Sequence, residues 1–79
     1  VDVPLTSGEF ELLIFLMNRS GRPVSRDELS LELRGIPYDG IDRTIDLRVS
    51  HLRSKLGDKG KNPNLIKSVR GVGYQLVRT

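Results

Sequence analysis

Between residues 42 and 56 the chain reads Asp-Arg-Thr-Ile-Asp-Leu-Arg-Val-Ser-His-Leu-Arg-Ser-Lys-Leu, and this stretch gathers the side chains best suited to gripping a ligand. Arg43, Arg48, Arg53 and Lys55 supply cationic donors, while Thr44, Ser50, His51 and Ser54 supply neutral donors and acceptors. At about 100° per residue on a helix, Ile45, Val49, Leu52 and Leu56 fall on one narrow apolar stripe. The opposite side carries Arg43, Leu47, Ser50, His51 and Ser54, with Thr44, Arg48 and Lys55 along one edge and Arg53 near the other. A helix that buries one side and offers basic and hydrogen-bonding groups on the other is what a major groove accepts. The alternative is an ordinary amphipathic helix whose basic face is merely solvated.

Other chemistries find little support. His51 is the sole histidine and there is no cysteine, so the chain has neither a thiolate metal set nor a disulfide framework. No Ser–His–Asp spacing supports a nucleophile, and Asp42 and Asp46 share their helix with arginines, which suits ion pairing better than acid–base work. An enzyme is therefore the weakest reading, and no cofactor is expected. His51 lies opposite the apolar stripe, which points to a base or phosphate contact rather than core burial. Leu47, on the same exposed side, suits contact with thymine methyl groups.

The charge distribution agrees. Residues 1–39 hold 4 basic and 7 acidic side chains, whereas residues 40–79 hold 9 basic and 3 acidic, so the net +3 is concentrated in the second half. Such a field favours a polyanion. A membrane surface would attract it too, but no basic helix pairs with a Trp- or Phe-rich face, no segment approaches a membrane span, and no signal peptide opens the chain. The cysteine-free composition fits the cytoplasm.

Elements that would position these groups follow from local signals. Val1, Val3 and Leu5 alternate with polar residues and Pro4, as in a short edge strand. Thr6 and Glu9 form a capping box, with Leu5 and Phe10 as its hydrophobic staple, and start a helix running to about Asn18. Ser25 and Glu28 repeat the box, with Val24 and Leu29 as staple, and that helix ends near Leu33-Arg34-Gly35. Residues 36–41 form a turn; Asp39 or Asp42 caps the third helix, and Gly57 stops it. Asp58 to Asn64 reads as a loop. Leu65–Arg70 and Tyr74–Val77 read as a hairpin around Gly71-Val72-Gly73. The fold class is therefore α+β: a winged helix-turn-helix, with a three-helix core and a C-terminal β-hairpin wing.

The first helix is apolar on most of its circumference. Phe10, Leu13, Ile14 and Met17 make one stripe, and Leu12, Phe15 and Leu16 widen it, so packing partners are expected on two sides. Residues 1–79 thus read as one domain of a longer protein whose upstream part supplies another layer. At the hairpin tip, Arg70-Gly71-Val72-Gly73-Tyr74 offers an arginine to a narrow A·T-rich minor groove. A plain turn with a solvated arginine is the bland alternative. A nucleotide loop is discounted, since a third glycine and a following helix are lacking.

Leu-Thr-x-x-Glu-Phe-x-Leu-Leu (Leu5 to Leu13), Ser25-Arg26-x-x-Leu29, Asp42-Arg43-Thr44-Ile45-Asp46 through Leu52-Arg53-x-Lys55-Leu56, and Val69-Arg70-Gly71-x-Gly73-Tyr74 together resemble the OmpR/PhoB family of bacterial response regulators. Leu33-Arg34-Gly35-x-x-Tyr38-Asp39-Gly40-x-Asp42-Arg43 is most similar to RstA/BfmR-like members. The resemblance implies the output domain of a two-component transcriptional regulator. Its receiver domain, which answers a sensor histidine kinase, and most of its N-terminal sheet would lie outside these residues. It implies groove contacts at Thr44, Leu47, Arg48, Ser50, His51 and Arg53, and phosphate or wing contacts at Arg43, Ser68, Arg70 and Tyr74. Lys55 and Lys67 are added as phosphate contacts on charge. Ile36, Pro37, Tyr38 and Asp39 would face RNA polymerase. Two copies would bind direct repeats of double-stranded DNA as a dimer. Many members carry arginine at the position of His51, and histidine cannot make arginine's bidentate contact with guanine. About five neutralised phosphates would give log K a slope near −4 to −5 against log salt. The reading from another class is a winged helix that docks on polymerase or another regulator without touching DNA.

Overall fold

The computed structural model describes residues 4–58 and 64–77. Along them run α1 (Ser7–Met17), β1 (Val24–Ser25), α2 (Arg26–Arg34), α3 (Thr44–Leu56), β2 (Ile66–Val69) and β3 (Gly73–Leu76). The strands form one antiparallel sheet in the order β1-β3-β2. Three helices followed by a hairpin is the winged-helix order expected. The strand expected at Val1 and Val3 lies outside the described residues, as does most of the 58–64 loop.

β1 was not legible, because two residues carry no alternation to read. It pairs Val24 with Tyr74 and Ser25 with Gly73, and so stitches the wing to the turn before α2. The crossing is tight. A Cβ on Gly73 would lie 2.1 Å from the Val24 carbonyl oxygen and 3.1 Å from the Arg26 nitrogen, so only glycine fits.

Helix ends follow local rules with two corrections. In α1 the capping box is complete: Glu9 N–H donates to Thr6 Oγ1 at 3.2 Å, and Thr6 N–H donates to Glu9 Oε1 at 2.9 Å. In α2 only half of it forms. Glu28 N–H donates to Ser25 Oγ at 3.0 Å, but the Glu28 carboxylate turns away to accept from Arg19 (3.1 Å) and Arg22 (3.0 Å). Charge-assisted bonds from two guanidinium groups outweigh one neutral backbone donor. Gly35 and Gly57, both at φ 73, end α2 and α3 in the left-handed conformation.

Neither candidate occupies the cap position of α3, which falls to Arg43 without a side-chain cap bond; both aspartates instead brace the chain leading into the helix. Asp42 Oδ1 accepts from Thr44 N–H at 2.8 Å and from the Thr44 hydroxyl at 2.5 Å, closing the helix start. Asp39 Oδ1 accepts from the N–H groups of Ile41 and Asp42, each at 2.8 Å, and closes the turn before it.

The core joins Leu12 and Leu16 of α1, Val24 and Leu29, Ile45, Val49 and Leu52 of α3, Ile66 and Tyr74. Each fully buried leucine or isoleucine contributes about 1.5–3 kcal/mol by leaving water. Val24 and Leu29, the expected staple of α2, are both in this core. Phe10 is not: it is 55% exposed, so a staple with Leu5 does not bury it. The apolar girth of α1 therefore divides. Leu12 and Leu16 face inward, while Phe10, Ile14 and Met17 face outward, and Phe10 and Ile14 line an open groove of about 260 Å³ with Phe15 and Leu33. Among the described residues no helix is long and apolar enough to cross a membrane.

Candidate nucleic-acid interface

Burial of Ile45, Val49 and Leu52 fixes the rotation of α3, and the other side of the helix is left open. Arg43 (side chain 77% exposed), Leu47 (56%), Ser50, His51 and Ser54 all reach solvent there. Leu56, at the end of the buried stripe, is only half-buried. The hairpin adds a second exposed surface: Lys67 and Ser68 on β2, and Arg70 at the tip. Gly71, at φ 77, allows the tip to turn, and Val72 N–H closes it on the Val69 carbonyl at 2.9 Å. These eight side chains, Leu56 apart, are the ones that the fold offers to a duplex.

Several residues expected in the interface are held elsewhere. Tyr74 is only 5% exposed. Its hydroxyl donates to Asp46 Oδ1, which also accepts from Arg26 Nε at 2.8 Å. Arg53 donates from Nε (2.9 Å) and Nη2 (2.7 Å) to the Ile66 carbonyl, and from Nη2 to Ser68 Oγ at 3.0 Å. Lys55 Nζ donates to Glu9 Oε1 at 2.7 Å, tying α3 to the capping box of α1. Arg48 lies against α1, where its guanidinium carbon would stand 3.3 Å from a Cβ on Gly8, and its Nη1 is buried with no hydrogen-bond partner among the described residues. Thr44 gives its hydroxyl to Asp42.

The carboxylates stay charged for identifiable reasons. Burial by itself would raise Asp46, but the bonds from Tyr74 and Arg26 outweigh it and hold the group below its ordinary value. Burial raises Tyr74, and the neighbouring Asp46 raises it further, so the phenol remains protonated as a donor. Asp42 falls from 3.8 to about 2 because the Thr44 side chain, the Thr44 N–H and Arg34 all stabilise its anion. Asp42 and Asp46 do pair with arginines, as their types suggest. The main partners come from α2, however: Arg34 at 2.9 Å and Arg26 at 2.8 Å, with Arg43 at 3.6 Å from Asp46.

The turn before α3 is moored at its start. Ser30 Oγ donates to the Ile36 carbonyl at 2.7 Å, and Tyr38 N–H donates to Asp27 Oδ1 at 3.1 Å. Ile36, Pro37 and Asp39 remain exposed, Tyr38 is half-buried, and Ile41 is 81% exposed.

Sequence reasoning missed Arg26 and Asp58. Arg26 left a signal: a cation in the first turn opposes the helix dipole and calls for a carboxylate, which Asp46 supplies. Asp58 accepts three backbone N–H groups, from Asn64 (2.7 Å), Leu65 (3.1 Å) and Ile66 (2.9 Å), and so anchors the start of β2. An isolated aspartate in a polar loop gives no such hint. No group of three or more metal-ligating side chains is assembled among the described residues.

Residues 1–76 match the family described as "Transcriptional regulatory protein, C terminal". Over 73 residues the chain is 44% identical to the transcriptional regulatory protein RstA of Escherichia coli, covering 92% of this chain and 30% of that protein. The chain spans about a third of the length of the curated relatives it matches. Among solved structures it is similar to the DNA-binding domain of Klebsiella pneumoniae RstA in complex with the RstA box, with a TM-score of 0.92, 41% identity, and coverage of 95% of this chain and 74% of that one. It is also similar to the C-terminal effector domain of BfmR from Acinetobacter baumannii, with a TM-score of 0.74, 49% identity, and coverage of 95% and 69%.

Proposed function

The chain belongs to the family of transcriptional regulatory protein C-terminal domains, the effector domains of OmpR/PhoB-type response regulators, and from that premise we propose that it binds double-stranded DNA sequence-specifically. The observation that carries this reading is the open side of α3, where Leu47, Ser50 and His51 stand exposed between cations and beside the arginine-tipped wing. In this proposal α3 lies in the major groove. Leu47, Ser50 and His51 read base edges there, and Arg70 enters the adjacent minor groove. Arg43 and Lys67 hold the phosphates, with Ser68 beside them, while Arg48 packs behind them on α1. Arg53, Lys55, Thr44 and Tyr74 support this surface from behind, through the partners described above.

The proposal extends to the whole regulator. Its receiver answers a sensor histidine kinase in the cytoplasm, and two copies occupy direct repeats. The exposed Phe10, Ile14 and Met17 face of α1 seats the preceding sheet layer, and the Ile36–Asp39 loop, with Ile41 exposed beside it, meets RNA polymerase. The outward apolar face of α1 and the similarity to longer regulators support this extension. Selection from a random DNA pool tests the central reading. Enrichment of a repeated motif with half-sites about one helical turn apart is the expected result. A pool that stays unenriched while the protein remains folded would overturn it.

A further inference from the structure

We propose that Arg53 and Tyr74 form a two-point clamp that fixes the offset between α3 and the wing, and so make the domain selective for the spacing between the bases read in the two grooves. This rests on the reading of α3 and the wing as the DNA-binding surfaces. It assigns both residues as positioning residues rather than DNA contacts.

The first point lies in the opening turn of α3. The Tyr74 hydroxyl, from the central strand β3, donates to Asp46, and Arg26 of α2 donates to the same oxygen at 2.8 Å and to the Tyr74 hydroxyl at 3.4 Å. The second lies two turns further on. Arg53 grips the outer strand β2 at the Ile66 carbonyl and the Ser68 hydroxyl. The Tyr74 ring lies between the two, with the Arg26 guanidinium 5.1 Å and the Arg53 guanidinium 5.4 Å from its centre. Ser68 and Tyr74 are cross-strand partners, so the two points hold neighbouring positions on the two strands.

Asp46 and Arg53 are seven residues apart, about 10 Å of helix rise. One point of attachment would let the hairpin pivot on α3. Two points at that separation, one on each strand, fix its angle and its axial position together. The groups used also limit any other role. Arg53 has Nε and Nη2 engaged on β2, which removes the paired donors that a bidentate guanine contact requires. Tyr74 has its hydroxyl engaged and its ring buried. The distance from Leu47, Ser50 and His51 to Arg70 is therefore set within the protein. A duplex whose A·T-rich flank lies one base pair nearer or farther presents its narrow groove away from the arginine.

The test uses three duplexes built on the selected core: the flank at its natural distance, the flank moved by one base pair, and the core with no A·T-rich flank. The unmodified chain should lose about tenfold or more on the moved flank, the scale of one misplaced base-pair contact. In R53Q and Y74F that penalty should largely vanish, with flank-free binding and the salt slope unchanged. Tyr74→Phe keeps the ring in place and loses only the hydroxyl, while Arg53→Gln leaves the core intact, so either variant can give the result if the other unfolds. The proposal is overturned if both folded variants keep the full penalty. It is also overturned if R53Q weakens all three duplexes alike and lowers the salt slope by about 0.9, which would make Arg53 a phosphate contact. An unmodified chain that binds no duplex would refute the DNA-binding reading itself.

Discussion

Replacing Lys67 and Lys55 separately with alanine tests whether the cations of this surface are divided as the structure divides them. Among the described residues, α3 with its flanking Arg43 and the wing carry Arg43, Arg48, Arg53, Lys55, Lys67 and Arg70. Arg53 is engaged on the Ile66 carbonyl and Ser68, and Lys55 on Glu9 at 2.7 Å. Arg48 lies against Gly8 of α1 with Nη1 buried. That leaves Arg43, Lys67 and Arg70 open to the duplex. At about 0.9 per cation that displaces a counterion, log K should fall with log salt at a slope of about −2.7, shallower than the −4 to −5 expected when Arg48 and Lys55 are counted. Between about 50 and 200 mM salt this is a loss of about 40-fold. Lys67→Ala should bring the slope to about −1.8 and the loss over that interval to about 12-fold. Lys55→Ala should leave the slope where it was and lower thermal stability, because the largely buried Glu9 carboxylate loses its ion-pair partner. Fluorescence anisotropy of a labelled operator, titrated at several salt concentrations, reads both slopes. The division is refuted if Lys55→Ala flattens the slope as much as Lys67→Ala does, since Lys55 would then leave Glu9 to reach a phosphate.

Gly73→Ala should destabilise the domain by about 3 kcal/mol or more, because the added methyl meets the Val24 carbonyl and the Arg26 nitrogen, which are backbone atoms that cannot step aside; an unchanged urea midpoint would contradict this. Asp58→Asn should cost about 1–3 kcal/mol, since an amide NH2 would face N–H donors that the carboxylate now accepts. Faster hydrogen exchange at Ile66 is the local sign, and unchanged exchange would argue against that anchor. The carboxyl groups of Glu9, Asp42, Asp46 and Asp58 are all held below their ordinary values, Asp42 at about 2. A group whose folded value is depressed contributes stability above its unfolded value and loses it as pH falls through the folded one. The melting temperature should therefore fall between about pH 4 and pH 2. A melting temperature that stays level through that interval would remove the carboxylate argument.

Helix boundaries were readable because the groups that set them are sequence neighbours. Thr6 and Glu9 satisfy each other across one turn, Gly35 and Gly57 adopt a conformation other residues resist, and Ile45, Val49 and Leu52 share a face through helix geometry alone. The open side of α3 followed from the same periodicity. Short-range reasoning weakened where a charged group had a choice of partners. Glu28 completes a capping box on paper, yet Arg19 and Arg22 claim it once α1 and α2 pack together.

What the chain order determined by itself was thus the identity of the elements, the side of α3 that faces solvent, and the residues at the hairpin tip. Only tertiary packing decided which basic side chains stay available. Arg53 meets a carbonyl 13 positions away, Tyr74 a carboxylate 28 positions away, and Lys55 a carboxylate 46 positions away. The physical reason is range. A cap or a stripe is settled within a turn or two of backbone, whereas a long cationic side chain takes whichever acceptor the finished fold brings within about 3 Å, and nothing along the chain specifies that neighbour.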